Sequence, residues 1–172
     1  MESNLNICIL GSTGSGKSSM GNLLSKSSVF KASSEANSCT FDTAFTTYFD
    51  TQTNKYFKII DTPGLGDSRG TKYDTQNIAN MAKCLKNEKF INAFLIVFNG
   101  SHPRFDEQLK GVLDIFIAMF GSDFFKNTML VFSHWKFDKR SKVERKKNKE
   151  TEDSKEKEFN DTFYRNFHNK SP

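Results

Sequence analysis

One segment constrains this chain more than any other: Gly11 to Ser18, which reads GSTGSGKS. It matches the pattern G-x-x-x-x-G-K-[S/T] at every position, and the glycines of such a loop let backbone N–H groups face phosphate oxygens. The apolar run Leu5 to Leu10 before it predicts a buried strand, and Met20, Leu23 and Leu24 after it have helical spacing. The order of strand, loop and helix therefore predicts a binding site for a nucleoside polyphosphate.

Two side chains of this segment have predicted roles in that site. The ammonium group of Lys17 is expected to neutralise the β and γ phosphates and to stabilise the phosphoryl group during its transfer. The hydroxyl group of Ser18 is expected to bind Mg²⁺. The backbone from Gly11 to Gly16 would cradle the phosphates beside the positive end of the following helix.

A second motif, DTPG at residues 61–64, directly follows a predicted strand from Tyr56 to Ile60. At the carboxyl end of a strand next to a phosphate loop, the carboxylate of Asp61 is expected to hold Mg²⁺ through a water molecule. The backbone N–H of Gly64 is expected to contact the γ phosphate. This motif therefore predicts the part of the site that distinguishes a triphosphate from a diphosphate.

A third ligand of the metal is predicted in the polar loop between the first helix and the second strand. The hydroxyl group of Thr40 could complete the Mg²⁺ shell when the γ phosphate is present, and Thr43, Thr46 and Thr47 are alternatives for this role. The predicted metal ligands are thus Ser18, Thr40 and Asp61. The predicted catalytic residues are Lys17, Thr40 and Gly64.

Apolar runs and helical repeats alternate along the rest of the chain. Further strands are predicted from Ala44 to Phe49, from Phe94 to Phe98 and from Met129 to Phe132, and helices are predicted around Ile78 to Leu85 and Leu109 to Phe120. This alternation indicates an α/β fold of the P-loop NTPase class, with a mostly parallel sheet of about five strands and helices on both faces. Beyond Phe137 the pattern predicts helices only, one starting at the capping box Ser141 to Glu144 and one containing Phe159, Phe163 and Phe167.

The composition favours a single soluble domain in a reducing compartment. The chain has 172 residues, of which 36% are apolar and 18 are Phe, enough for one core. No apolar run approaches the roughly 18 residues needed to cross a bilayer, and no leader or lipidation signal is found. An odd number of widely spaced cysteines, Cys8, Cys39 and Cys84, suits reduced thiols that pack in the interior. A cytoplasmic location is therefore expected.

The net charge of +5 is concentrated near the end of the chain. From Lys139 to Lys149 there are seven positive side chains and one negative one. A solvated surface segment is the simplest interpretation, and contact with an anionic partner such as a lipid headgroup or RNA is the alternative. Because no aromatic residues interrupt this segment, nucleic-acid binding is not expected.

Taken together, these motifs resemble a known family. The phosphate loop and the segments Ser38 to Thr40, Ile59 to Ser68, Ala93 to Val97 and Arg104 to Gln108 are similar to the AIG-type G domain of the immune-associated nucleotide-binding GTPases, relatives of septins and of chloroplast import GTPases. The resemblance spans about Leu5 to Phe132. It implies binding of GTP, GDP and Mg²⁺, dimers or oligomers formed through the G-domain face, and frequent function at membranes.

The sequence departs from this family at two places that matter for chemistry. Leu65 follows Gly64 where Ras-like enzymes carry the Gln that orients the attacking water, so intrinsic hydrolysis is expected to be slow. Asp67 and Ser68 are candidates to replace that function. The segment from Ser133 to Asp138, SHWKFD, stands where an N-K-x-D or T-R-K-x-D motif would be expected.

The altered motif still offers two contacts to a guanine base. His134 would cover the base, as in import GTPases that carry T-H at this place, and Asp138 would accept hydrogen bonds from the base although it lies two residues too far along. The last strand of a full G domain is apparently lacking, so guanine selectivity is expected to be weaker than triphosphate binding. The predicted nucleotide contacts are Gly11, Ser12, Thr13, Gly14, Ser15, Gly16, Lys17, Ser18, Ser19, Asp61, Gly64, His134 and Asp138.

The sequence thus predicts a guanine-nucleotide-binding protein that hydrolyses GTP slowly and switches by ordering the Thr40 loop and the loop from Gly64 to Ser68. A nucleotide-dependent interaction module without turnover is the main alternative. An ATP-using P-loop kinase or ATPase is less favoured, because no lid or second-substrate motif is found. Residues 1–135 are predicted to form the G-domain core, and residues 136–172 a charged excursion and a helix of the same domain.

Overall fold

The computed structural model describes residues 5–30, 43–64, 71–88, 90–100 and 107–167. The strands are β1 (Leu5–Leu10), β2 (Ala44–Asp50), β3 (Lys55–Asp61), β4 (Ala93–Asn99) and β5 (Thr128–Ser133). The helices are α1 (Lys17–Ser25), α2 (Thr71–Lys86), α3 (Glu107–Phe120), α4 (Lys139–Lys147) and α5 (Glu152–Phe167), with a 3-10 helix at Ser122–Asn127. The predicted α/β class and the five predicted strands are confirmed.

The five strands form one sheet in the order β2-β3-β1-β4-β5. Strands β3, β1, β4 and β5 are parallel, whereas β2 runs antiparallel to β3. The connection between β2 and β3 is only residues 51–54, which is too short for the crossover that a parallel pair needs. Because the carboxyl ends of the four parallel strands share one edge of the sheet, the loops that follow them come together there.

Helices cover both faces of the sheet, as predicted. On one face α1 contributes Met20 and Leu24 to a small cluster with Ile9, Leu95 and Val97. On the other face α2 and α3 pack against the even-numbered positions of β1 and β4, and this larger cluster contains Cys8, Leu10, Met81, Leu85, Phe94, Ile96, Leu113 and Phe116. Strand β4 is buried on both sides, which explains why its sequence is continuously apolar.

Phenylalanine side chains form the centre of the larger cluster. The ring of Phe94 lies 4.7 Å from that of Phe124 and 5.0 Å from that of Phe120, measured between centroids. Phe116 is fully buried and lies 5.6 Å from Phe124. Truncating a buried Phe such as Phe116 to Ala costs about 3–5 kcal/mol of unfolding free energy, so these rings hold α3 and the 3-10 helix on the sheet.

The chain after β5 differs in one detail from the expectation. Helix α4 begins at Lys139, not at Ser141, because Asp138 is its N-cap and accepts a 3.0 Å hydrogen bond from the backbone N–H of Ser141. The second predicted helix is α5. Between β5 and residue 167 the structure contains no further strand, and none of the helices within the described ranges is long and apolar enough to span a membrane.

Candidate nucleotide-binding site

The loop that follows β1 leads directly into α1. Its backbone has left-handed φ angles at Gly14 and Gly16, 74° and 91°, which glycine adopts without strain. Gly16 is the N-cap of α1 and offers no side chain to bind the first N–H groups of the helix. Those groups and the helix dipole favour an anion at this end of α1, as the sequence predicts.

The ammonium group of Lys17 lies within this loop. Its Nζ donates a 2.9 Å hydrogen bond to the carbonyl oxygen of Ser12, and the residue is only 6% exposed. Burial lowers the pKa of Lys17 to about 8, and the nearby charge of Asp61 acts in the opposite direction. A buried ammonium group with so little compensation favours a bound anion, because the anion would stabilise its charged form.

The side chains of Ser18 and Asp61 meet beside Lys17. Ser18 Oγ donates a 2.6 Å hydrogen bond to Asp61 Oδ2, and Asp61 is 1% exposed at the end of β3. The next residue, Thr62, fixes this strand end by donating a 2.7 Å hydrogen bond to the carbonyl oxygen of Ile9 in β1. The structure therefore places two of the three sequence-predicted metal ligands, Ser18 and Asp61, on adjacent elements with their oxygen atoms in contact.

This pair of oxygen atoms fits Mg²⁺, which prefers a few carboxylate or hydroxyl ligands and fills the rest of its octahedron with phosphate oxygens and water. No cluster of three or more His, Cys, Asp or Glu side chains occurs among the residues that the structure describes. A metal held by Ser18 and Asp61 would therefore require further oxygen ligands, which phosphate groups, water or the predicted ligand Thr40 can supply. That requirement agrees with the position of Lys17 next to the pair.

The DTPG motif touches the phosphate loop at Gly64. A Cβ atom at this position would lie 2.7 Å from the Cα of Thr13 and closer still to its Oγ1. Only a glycine fits at this distance without displacing one of the two loops. The contact brings the backbone of Gly64 to the loop that would hold the phosphates, as its predicted role requires.

Ser133, at the end of β5, connects the phosphate loop with the segment that follows β5. Its hydroxyl group lies within hydrogen-bond distance of the carbonyl oxygens of Ser15 and Phe98 and 2.7 Å from Nδ1 of His134. Both carbonyl groups can only accept, so the single hydroxyl proton goes to one of them. The contact with His134 is then a hydrogen bond only when Nδ1 of His134 carries a proton and donates it.

His134 lies next to the phosphate loop. A Cβ atom at Gly16 would be 3.3 Å from Cε1 of the His134 ring. The backbone of His134 has a φ angle of 56°, which is uncommon for a residue other than glycine and turns the chain away from β5. With Nδ1 protonated, Nε2 of the neutral ring is a hydrogen-bond acceptor on an exposed side chain.

The remaining residues of the SHWKFD segment have other contacts. The Trp135 ring packs beside Gly100 and under the guanidinium group of Arg145, which lies 4.5 Å from the ring centroid. A cavity of about 340 Å³ opens beside His134 and Trp135 and is also lined by Lys136 and Arg145. Packing explains Trp135, and the cavity offers space next to His134.

Asp138 lies outside this cavity lining. Both of its carboxylate oxygens bind Ser141, at 3.0 Å from the backbone nitrogen and 2.7 Å from Oγ. These hydrogen bonds lower the pKa of the Asp138 carboxyl group. The structure therefore shows Asp138 as the cap of α4, and its contact with a base stays a prediction.

The predicted site residues differ in where the structure places them. The structure brings together the phosphate loop, Asp61, Gly64 and His134, and it places Ser19 on the exposed side of the first turn of α1. Thr40 and the predicted water-positioning candidates Asp67 and Ser68 lie outside the described residues. The sequence motifs predict no role for Ser133; its place at the carboxyl end of a parallel strand is the signal that identifies it as part of the site.

Comparisons with known proteins agree with this geometry. The sequence model of the AIG1 family matches residues 5–162. The chain belongs to the AIG1 family. Two relatives are GTP-binding protein A of Dictyostelium discoideum, 32% identical over 134 residues, and immune-associated nucleotide-binding protein 7 of Arabidopsis thaliana, 32% identical over 130 residues. The alignments cover 78% and 74% of this chain but only 29% and 40% of the relatives, so this AIG1 chain spans less than half the length of either.

Solved structures share the AIG1 chain's fold. Toc33 from Arabidopsis thaliana in complex with GDP and Mg²⁺ superposes with a TM-score of 0.65 at 27% identity, over 76% of this chain and 50% of Toc33. A structure of the chloroplast translocon components atToc33 and psToc159, for which dimerization is important for GTPase activity, gives a TM-score of 0.66 at 26% identity over 77% of this chain and 51% of that one. Era in complex with MgGDPNP and ribosomal RNA, at 15% identity and a TM-score of 0.58, shares the fold alone.

Proposed function

We propose that this AIG1 chain binds GTP and GDP together with Mg²⁺ and hydrolyses GTP slowly, changing conformation between the two nucleotide states. The observation that carries the proposal is the hydrogen bond between Ser18 and Asp61 beside the buried Lys17. Hydroxyl, carboxylate and ammonium groups in this arrangement suit a magnesium-bound polyphosphate. The relatives named GTP-binding protein A and immune-associated nucleotide-binding protein 7, and Toc33 with its GDP and Mg²⁺, support the choice of ligand.

Each residue of the site has a defined task in this proposal. Ser18 and Asp61 would hold Mg²⁺, with Thr40 as a further ligand in the GTP state; the bound ion would neutralise charge on the β and γ phosphates. Lys17 binds the same phosphates and stabilises the negative charge of the transferring phosphoryl group. The N–H of Gly64 would donate to the γ phosphate, so that its loop changes conformation when the phosphate leaves.

The base would be held beside His134. The exposed ring of His134 next to the phosphate loop and the cavity of about 340 Å³ beside it support this position. A neutral His134 with Nδ1 bound to Ser133 presents Nε2 as an acceptor for base N–H groups. The carboxylate of Asp138 already caps α4 by accepting hydrogen bonds from Ser141. We therefore propose that the protein discriminates guanine from other bases less strongly than it binds the triphosphate.

Slow turnover and dimerisation are further properties of this proposed function. Leu65 follows Gly64 and cannot orient water by hydrogen bonding, which supports a low intrinsic rate. Dimerization is important for the GTPase activity of atToc33 and psToc159, and we propose that a second copy likewise contributes to hydrolysis here through the nucleotide-binding face. The same Leu65 favours the second candidate function, an interaction module that binds nucleotide without turnover.

Titration with fluorescent GTP, GDP and ATP analogues in Mg²⁺ tests the proposal, with phosphate release followed at several protein concentrations. Lys17→Ala should weaken binding of every nucleotide at least about a hundredfold, since a charge-assisted phosphate contact is lost. Lys126→Ala, which removes an exposed lysine far along the chain, is the matched control and should leave affinity unchanged. Equal affinity of Lys17→Ala and the unmodified chain would contradict nucleotide binding at this loop. Tight binding with no phosphate release would favour the non-hydrolysing module.

A further inference from the structure

Strand β2 forms one end of the sheet and has an unusual outer surface. Among the strands that the structure describes it pairs with β3 alone, in an unbroken ladder from Ala44 opposite Asp61 to Asp50 opposite Lys55. Phe45 is 61% exposed and Phe49 39% exposed, and both point to the same face of the sheet. Across the strand pair, the ring of Tyr56 lies 4.8 Å from that of Phe49 and is 46% exposed.

Natural edge strands usually carry a feature that prevents pairing with another strand. Proline and β-bulges interrupt the row of free N–H and C=O groups, and a lysine adds a charge that an incoming strand would have to bury. The sequence of β2, AFTTYFD, contains neither proline nor lysine, and its register with β3 has no bulge. Within the described residues, nothing in the sequence or register of β2 prevents an added strand from pairing along this edge.

The sequence of β2 indicates which strand would be added. Around Thr47 it reads almost the same in both directions, with Phe45 and Phe49 two residues to either side and Thr46 and Tyr48 next to the centre. Two identical strands that pair antiparallel about a twofold axis at Thr47 would place each Phe45 opposite Phe49 of the second copy. An unrelated partner strand would not require this symmetry in β2.

We propose that β2 pairs antiparallel with β2 of a second copy of this chain, joining the two sheets into one of ten strands. Phe45 and Phe49 of both copies then form cross-strand aromatic pairs, extended on each side by Tyr56. The faces match as well, because Phe45, Thr47 and Phe49 share the exposed face whereas Tyr48 and Asp50 point to the other.

The charges of β2 are compatible with this arrangement. Asp50 is the only charged residue of the strand, and in the twofold register it lies opposite Ala44 of the second copy. The two Asp50 carboxylates are then about 20 Å apart, at a rise of about 3.4 Å per residue. No like charges of β2 meet across the pair.

This interface is centred on Thr47, away from the nucleotide-binding face, and only the first residue of β2, Ala44, lies opposite Asp61. The phosphate loop, Asp61 and Ser133 lie at the carboxyl ends of the parallel strands. The free edge of β2 runs along the side of the sheet, at the opposite end of the strand order from β5. Pairing through β2 therefore needs no nucleotide, and its test is independent of the proposed GTP binding.

Sedimentation velocity of the nucleotide-free chain over a range of concentrations tests the inference. Two variants differ at a single position: Phe45→Glu with Phe49→Glu puts like charges opposite each other, and Phe45→Glu with Phe49→Lys puts opposite charges there. We expect the unmodified chain to form a concentration-dependent dimer. The first variant should raise the dimer Kd at least tenfold, and the second variant should recover most of the lost affinity. Met129→Lys, at a 63% exposed position on the opposite edge strand β5, is the control and should leave Kd unchanged.

Circular dichroism and nucleotide titration of each variant show whether the fold is kept. A chain that stays monomeric at all concentrations would overturn the inference. So would a dimer that forms only with a GTP analogue, a dimer equally strong in both double variants, or one that is weakened by Met129→Lys.

Discussion

The hydroxyl group of Ser18 donates a 2.6 Å hydrogen bond to Oδ2 of Asp61, although 43 residues separate them in the sequence. Ser18 is the second residue of α1 and Asp61 is the last residue of β3. Parallel pairing of β1 with β3 brings these two positions together, because both strands end at the same edge of the sheet and α1 follows β1 there. A metal bound by both oxygen atoms would replace this hydrogen bond and would link the phosphate loop to the DTPG motif.

Replacing either side chain should remove the dependence of nucleotide binding on magnesium. We expect Ser18→Ala and Asp61→Asn to weaken binding about tenfold or more in Mg²⁺, because each loses a charge-assisted contact worth about 1.5–3 kcal/mol. Calorimetric titration with and without EDTA measures this. Ser18→Thr keeps a hydroxyl group and serves as the matched control. An equal effect of EDTA on Asp61→Asn and on the unmodified chain would contradict the metal assignment.

Nucleotide affinity should fall above pH 8. The pKa of Lys17 is lowered to about 8 in the nucleotide-free protein. Above that pH, a decreasing fraction of the protein carries the ammonium group that binds the phosphates. Affinity is then expected to decrease by up to about tenfold per pH unit between pH 8 and 9.5. Nucleotide titrations across this pH range measure the decrease. In Lys17→Ala, the affinity that remains should not depend on pH in this way.

The same pKa shift predicts how stability changes with pH. Because the unfolded chain keeps its Lys17 proton up to about pH 10.4, it holds more protons than the folded chain above pH 8. The contribution of Lys17 to the free energy of unfolding therefore rises between pH 8 and pH 10.4. Thermal unfolding of the nucleotide-free chain and of Lys17→Met measures it, and the difference between them should change in this direction across that range.

Gly64→Ala should separate the phosphate loop from the DTPG motif. The added methyl group would lie 2.7 Å from the Cα of Thr13, so one of the two loops must shift and nucleotide affinity should fall at least about tenfold. Gly111→Ala is the matched control, because nothing lies within 4 Å of its added Cβ in α3. That change should leave affinity unchanged and raise stability by about 0.5–1 kcal/mol. Unchanged affinity in Gly64→Ala would refute the contact.

Ser133 and His134 should act as one unit. Ser133→Ala removes the hydroxyl group that contacts both the Ser15 carbonyl oxygen and His134, so His134→Ala should have a smaller effect on affinity in that background. A double-mutant cycle on GDP binding measures the coupling, which we expect to be about 0.5–1.5 kcal/mol. Additive effects would show that His134 does not depend on Ser133 for its position.

The fold was largely predictable because its signals are local. The continuous apolar run of β4 reflects burial on both faces, and the GSTGSGKS loop specifies its own backbone conformation. The start of α4 was harder, since Asp138 and Ser141 are both good capping residues and lie three residues apart. The structure uses the carboxylate of Asp138, which satisfies both the N–H and the hydroxyl group of Ser141.

Contacts between distant segments could not be read from the sequence. Ser133 contacts Ser15 across 118 residues, and this depends on the order of strands β1, β4 and β5 in the sheet. Its position at the end of a strand is the one sequence signal for Ser133, because a single serine carries no periodicity or motif. The proposed pairing of β2 likewise depends on the position of β2 at the edge of the sheet, which its nearly symmetric sequence alone does not predict.

Helix α4 is strongly basic, and no residue in it is buried. If its lysines contact an anionic membrane, each contributes about 1 kcal/mol at low salt, and the triple change Lys142→Glu, Lys146→Glu, Lys147→Glu should lower vesicle binding at least a hundredfold. The change Lys55→Glu, Lys83→Glu, Lys126→Glu alters net charge equally at exposed sites elsewhere and should have a much smaller effect. Sedimentation with phosphatidylserine vesicles at 50 mM and at about 500 mM salt measures both charge dependence and screening. An unmodified chain that does not bind these vesicles at low salt would leave α4 as a solvated surface helix.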